Sequence, residues 1–188
     1  MKPSPGNHRR PLARVRTGNE LTPGPASDDH RRPRARGDKG DTHMLYGIDP
    51  ILGPDLLSTL RAMGHGDEIC IADANFPAVS NARRLIRVDA ADAVRVADAI
   101  LSLMPLDTFV PAAAFVMQVV GKPKEAPPVY GLFQKAIDGR QKGFKLARIE
   151  RFKFYERART CFAIVATGER RLYGNLILTK GIVRPEEQ

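Results

Sequence analysis

Residues 44 to 188 predict a single α/β domain, with helices packed on a mostly parallel sheet. Two observations carry this. Short apolar runs of strand length alternate along the chain with segments of helical period. Runs such as "EICIAD" are apolar on both faces, so they must be covered from both sides, and helices above and below a parallel sheet do that. The 43% hydrophobic content supplies enough side chains for one such core.

The elements follow in order. "GPDLLSTLRAMG" is a helix with Pro54 near its start, apolar residues Leu56, Leu57, Leu60 and Met63 on one side, and Gly64 as the C-terminal cap. "EICIAD" is a buried strand and "RLIRVD" a second. Asp89 then caps a helix with the stripe Val96, Ala97, Ile100, Leu101 and Met104, stopped by Pro105. "AFVMQVV" reads as a strand, "KPKEAPP" as a loop, "VYGLFQKAID" as a weaker helix and "RFKFYERA" as a short helix or turn. "CFAIVATG" and "YGNLILTKGIV" close the chain as two strands joined by a polar turn around "GERRL".

The first 43 residues have a different texture. They hold ten Lys and Arg against five Asp and Glu, so +5 of the chain's net +9 sits there, with six prolines and no aromatic residue. Such a segment cannot bury enough apolar surface to offset its ordering entropy and reads as a disordered basic extension. It is a solvated tail, an electrostatic contact for nucleic acid, or the product of a start placed upstream of a natural Met44. Acidic residues mixed among the arginines weigh against nucleic acid. No apolar run is long enough to span a bilayer and no secretory leader is evident, so the expected location is the cytoplasm. Cys70 and Cys161 lie far apart in apolar stretches and read as core residues.

"MGHGDEICIADANFP" asks why His65 is bracketed by Gly64 and Gly66, with Asp73 just past a strand. Glycines on either side free the backbone and present the imidazole instead of packing it. His65 is the domain's only histidine, since His8, His30 and His43 belong to the extension, and ligands for a metal are missing around it. Taken singly, each candidate also has an ordinary explanation: His65 as a solvated loop residue, Asp73 as a turn residue, Arg151 and Arg157 as surface charges, Tyr155 as a core aromatic with a wet tip.

Together and in order, "LRAMGHGDEICIADANFPA", "RFKFYERA" and "FAIVATGERRLYGNLILTKGIV" resemble the fucose mutarotase and ribose pyranase family, nearly end to end over residues 44 to 188. "MGHGD" with a downstream "DA.FP" is common to both branches, whereas "FYERA" and "TGE...YGN...KG" point to the fucose branch. The resemblance implies that family's fold and a cofactor-independent isomerase opening and reclosing the ring of L-fucose. It implies His65 as general acid/base and Asp73, Arg151, Tyr173, Gly174 and Asn175 as sugar-binding residues, with no metal and no cofactor. D-ribose pyranase activity and a non-catalytic sugar-binding regulator are the alternatives. The resemblance further implies a homo-oligomer, a decamer of two stacked pentamers. Spacing adds an independent expectation. An extended "EICIA" separates the start of the strand from Asp73 by roughly 17 Å, too far for His65 and Asp73 to reach one sugar unless the chain bends back or a neighbouring subunit supplies one of them. We expect His65 from one subunit and Tyr173 and Asn175 from the next.

Overall fold

The structure, a computed structural model, describes residues 45 to 185, so the basic extension lies outside the described residues. Helix α1 is Pro54–Ala62, with Pro54 pre-set for the first turn and Asp55 and Arg61 placed to complement the helix dipole. Gly64 is not its cap. The helix ends on Met63 in extended conformation, and the Lys180 ammonium takes the freed carbonyls of Leu60 and Met63. The left-handed residue is Gly66 (φ +83°), whose N–H donates to the Lys180 carbonyl at 2.9 Å. Of the two glycines around His65, it is therefore Gly66 that the turn requires.

Strand β1 (Glu68–Ala72) follows, then the one-turn helix α2 (Ala78–Asn81) and strand β2 (Leu85–Val88). Helix α3 (Ala93–Leu101) is capped by Asp92, whose carboxylate accepts from Arg95 N–H at 2.8 Å. Asp89, the expected cap, instead takes the Arg87 guanidinium. Strand β3 (Ala114–Met117) leads through the expected loop to α4 (Pro128–Arg140). Strand β4 (Leu146–Ile149) has no counterpart in the sequence reading; it is a half-buried edge strand with Lys145 and Arg148 exposed, so it lacks the apolar run that marks β1. Helix α5 (Arg151–Thr160) is capped by Glu150, and strands β5 (Ala163–Thr167) and β6 (Leu176–Thr179) complete the order.

The six strands form one sheet in the order β2-β5-β1-β6-β3-β4. Five run the same way, and β6 is antiparallel to both its neighbours, β1 and β3. The mostly parallel sheet is thus as predicted, but β5 and β6 are not a hairpin: β1 lies between them. Residues alternate along β1, so Ile69 and Ile71 join the core under α1, α3 and α4, while Cys70 and Ala72 join the one under α2 and α5. Both cysteines are buried and free of a disulfide, as expected of core residues. Small side chains on the second face of the sheet (Cys70, Ala72, Ala166) and Ala158 on α5 let the helix pack on the sheet, anchored by the fully buried Phe154. Phe154→Ala would cost about 3–5 kcal/mol by the usual cavity penalty.

Candidate functional site

The expected residues gather at two opposite ends of β1. At the end where the parallel strands finish, Asp73 follows β1 and Asn175 precedes β6, so the register that pairs Ile71 with Leu176 brings them together. The Asn175 amide grips Asp73 twice: Asp73 N–H donates to Asn175 Oδ1 at 2.9 Å, and Asn175 Nδ2 donates to Asp73 Oδ2 at 2.7 Å. Asn75 N–H donates to Asp73 Oδ1 at 3.0 Å. Burial pushes the Asp73 carboxyl above the ordinary aspartate range; these hydrogen bonds oppose the shift, and the negative charge of Glu169 adds to it. The arrangement is a buried carboxylate aimed by an amide, suited to accepting hydroxyl hydrogens from a sugar.

Tyr173 stands beside this pair in a left-handed conformation (φ +63°), unusual for a residue with a bulky side chain. Its hydroxyl accepts from Val120 N–H at 3.2 Å, which ties the loop after β3 to the turn before β6. A cleft of about 350 Å³ opens at Tyr173, walled by Pro127, Pro128 and Leu172. Gly174 is fixed by close approach, because a Cβ there would lie 2.5 Å from Glu169 Cγ. Arg151 opens α5 at the same end of the sheet, its guanidinium 4.6 Å above the Phe152 ring.

His65 is at the other end. It sits on the turn between α1 and β1, 45% exposed, with Nε2 3.1 Å from Oδ1 of the buried Asp107. Asp107 Oδ1 also accepts from Phe109 N–H at 2.9 Å, and the Phe109 ring lies 5.5 Å from the imidazole. The Phe109 N–H is the main pull holding the Asp107 carboxyl below the usual aspartate range, with His65 adding to it, so Asp107 is an ionised acceptor at neutral pH. An imidazole whose Nε2 hydrogen goes to Asp107 has Nδ1 left for chemistry. Asp107 is the candidate site residue that sequence reasoning missed. It lies 42 positions from His65, behind the helix stop "MPLD", and meets it because Leu106 bridges Lys180 while Gly66 bonds the Lys180 carbonyl.

The structure therefore joins Asp73, Tyr173, Gly174 and Asn175 and leaves His65 apart. Strand β1 is paired on both edges, Ile69 to Ala72 with β5 and Glu68 to Ile71 with β6, so the chain does not bend back, and the rise of the strand alone is roughly 17 Å. Both ends carry exposed apolar side chains: Phe109, Ile182 and Val183 around His65, and Val120, Phe152 and Leu172 around Asp73. Among the described residues, no group of three or more His, Cys, Asp or Glu side chains is placed to hold a metal ion. No helix among them is long and apolar enough to cross a membrane.

The sequence matches the model of the RbsD / FucU transport protein family over residues 46–183. Fucose mutarotase of Homo sapiens is 46% identical over 145 residues, covering 74% of this chain and 94% of that protein. Fucose mutarotase of Danio rerio is 44% identical over 153 residues, covering 77% and 98%. Among solved structures, the fucose mutarotase of Streptococcus pneumoniae in complex with L-fucose gives a TM-score of 0.71 at 45% identity, covering 74% of this chain and 100% of that one. Bacillus subtilis RbsD complexed with D-ribose gives 0.57 at 20% identity over 71% of this chain and 95% of that one, a likeness of fold alone.

Proposed function

The chain belongs to the RbsD / FucU transport protein family, and on that premise we propose that it is a cytoplasmic mutarotase interconverting the α and β anomers of L-fucose. The relatives that are 43–46% identical carry the name fucose mutarotase. The observation that supports the mechanism is the division of groups along β1, the His65–Asp107 pair at one end and the Asp73–Asn175 pair at the other.

Mutarotation removes the proton of the anomeric hydroxyl and protonates the ring oxygen. The C1–O5 bond breaks with its electron pair going to O5, C1 becomes an aldehyde, and closure on the other face reverses each step. His65 serves as the general acid/base, with Asp107 holding the imidazole by Nε2. Asp73 accepts hydroxyl hydrogens, Asn175 aims it, and Tyr173 and Arg151 supply further contacts. The chemistry calls for no cofactor.

One sugar is served by both ends when the His65 end of one subunit meets the Asp73 end of the next. Two different faces of the same chain then form a heterologous contact, which closes into a ring. The exposed apolar residues at both ends support this reading, as does the inability of one chain to bring its own His65 to its own Asp73. We read the assembly as a decamer of stacked pentamers, carried by residues 44 to 188.

The test is exchange between the anomeric proton signals of L-fucose, followed by magnetisation transfer. The chain accelerates exchange, and His65→Gln loses about a hundredfold to ten-thousandfold of the rate at an unchanged unfolding midpoint. Sugar binding without rate acceleration would make the protein a regulator and overturn the proposal, as would faster exchange of D-ribose ring forms than of fucose anomers.

A further inference from the structure

Residues 168–175 carry the chain from β5 to β6 across the end of β1, without a helix or strand of their own. They nevertheless present Tyr173 and Asn175 in defined positions. The residue that organises them is Glu169, 2% exposed and outside the sugar-binding set. Its Oε1 accepts from the Arg171 N–H at 2.7 Å and Nε at 2.8 Å, and its Oε2 from Arg171 Nη2 at 2.6 Å and from Ala93 N–H at 3.3 Å. The loop is thereby pinned to the first turn of α3, where Arg171 also approaches Asp92 at 3.6 Å. The Glu169 carbonyl accepts from Ala74 N–H at 2.9 Å, the residue directly after Asp73. Its N–H donates to Thr167 Oγ1, which donates in turn to the Ala72 carbonyl, the residue directly before Asp73. Its Cγ fills the space that a side chain on Gly174 would need.

We propose that Glu169 is the positioning residue of the sugar-binding end, holding the Asp73 loop and the Tyr173–Asn175 stretch in one fixed arrangement without itself touching sugar. The proposal rests on the fucose reading, because it takes Asp73, Tyr173 and Asn175 as the sugar contacts. A carboxylate suits the position better than a neutral group, because four N–H hydrogen bonds end on its two oxygens, three from Arg171 and one from Ala93. An ion pair serving stability alone needs only Arg171. Here the side chain also takes the Ala93 N–H of α3 and packs on Gly174, while the Glu169 backbone bonds Ala74 and Thr167 beside the end of β1.

Positioning of binding groups, with the proton-transfer pair at the far end of β1, predicts a defect in KM and not in kcat. In the full chain, Glu169→Ala raises KM for L-fucose by about tenfold or more while kcat stays within about threefold, the effect of loosening one to two hydrogen bonds to sugar. Glu169→Gln keeps the length, the packing on Gly174 and one acceptor oxygen, and recovers a large part of that loss. Gly174→Ala reproduces the KM defect when Glu169 is present and has a smaller effect in the Glu169→Ala chain, where the clashing Cγ is gone. A folded Glu169→Ala chain with KM within about twofold of wild type overturns the proposal, as does strict additivity of the two alanine substitutions. Should Glu169→Ala fail to fold, Gly174→Ala and Glu169→Gln decide: unchanged KM in both overturns it. Wild-type chain that does not exchange fucose anomers overturns the functional reading instead, a result visible before any variant is made.

Discussion

Two inactive variants should restore each other if the site is divided between subunits. The pair is His65→Gln, which removes the acid/base, and Asp73→Asn, which removes the buried negative charge and one of its two acceptor oxygens while keeping its shape. Neither acts alone, because every interface in its assembly has the same defect. When equal amounts are unfolded and refolded together, each interface draws its His65 and its Asp73 from two independently chosen chains. Each choice is intact half the time, so roughly a quarter of interfaces, and roughly a quarter of wild-type activity, should return. Activity should fall off symmetrically as the mixing ratio departs from one to one. The length of β1 makes the test decisive: its five residues are held extended by ladders on both edges, and the roughly 17 Å they span lies between the two side chains of any one subunit. The assay is fucose anomer exchange, with one variant isotopically labelled so that native mass spectrometry reports mixing. Mixed assemblies with no activity above that of the separate variants would refute the division.

Three further outcomes follow from the same geometry. Asp107→Asn keeps an acceptor for Phe109 N–H but loses the charge beside His65, and kcat should fall about tenfold to a hundredfold with the fold retained, checked by exchange rates and thermal unfolding. Burial raises the Asp73 carboxyl, so this group favours the folded state below its unfolded pKa and loses that contribution as pH rises through the folded value. Sugar binding needs the ionised form, so the acid limb of kcat/KM should lie above the ordinary aspartate value of about 3.9; a profile flat down to that pH contradicts the assignment. A chain starting at Met44 should keep fold, assembly and activity, and loss of soluble protein or of most of the rate would make the extension part of the domain.

Most of the fold was legible because its elements bury continuous faces. Strand β1 is apolar on both sides, and the stripe Val96, Ala97, Ile100 and Leu101 lies on one face of α3 with the period of a helix, so both could be read without knowing their neighbours. What escaped depends on tertiary context. Strand β4 has one face half in water and a charged residue at its third position, so only its ladder with β3 marks it as a strand. The cap of α3 shifted from Asp89 to Asp92 because Arg87 occupies the first and the helix begins three residues later.

The hairpin misreading of β5 and β6 bears most directly on the site. A two-residue turn joins adjacent antiparallel strands, whereas the connection here runs over 168–175. That length is what stepping over an intervening strand requires, since β5 and β6 stand two sheet spacings apart, about 9.6 Å. Loop length was therefore a signal available in the sequence, and its physical consequence is the site itself. Because the connection crosses above β1, it passes the residue that ends β1, and Asn175 meets Asp73 across a gap of 102 positions. The antiparallel insertion of β6 also returns the chain to the opposite end of β1, where Lys180 holds the turn that presents His65. One strand thus carries His65 at one end and Asp73 at the other while keeping them apart. On the proposed reading, a fold that separates the acid/base from the sugar-binding residues by the length of a strand calls for a second subunit to complete the site, and the exposed apolar residues at both ends would then serve catalysis as well as assembly.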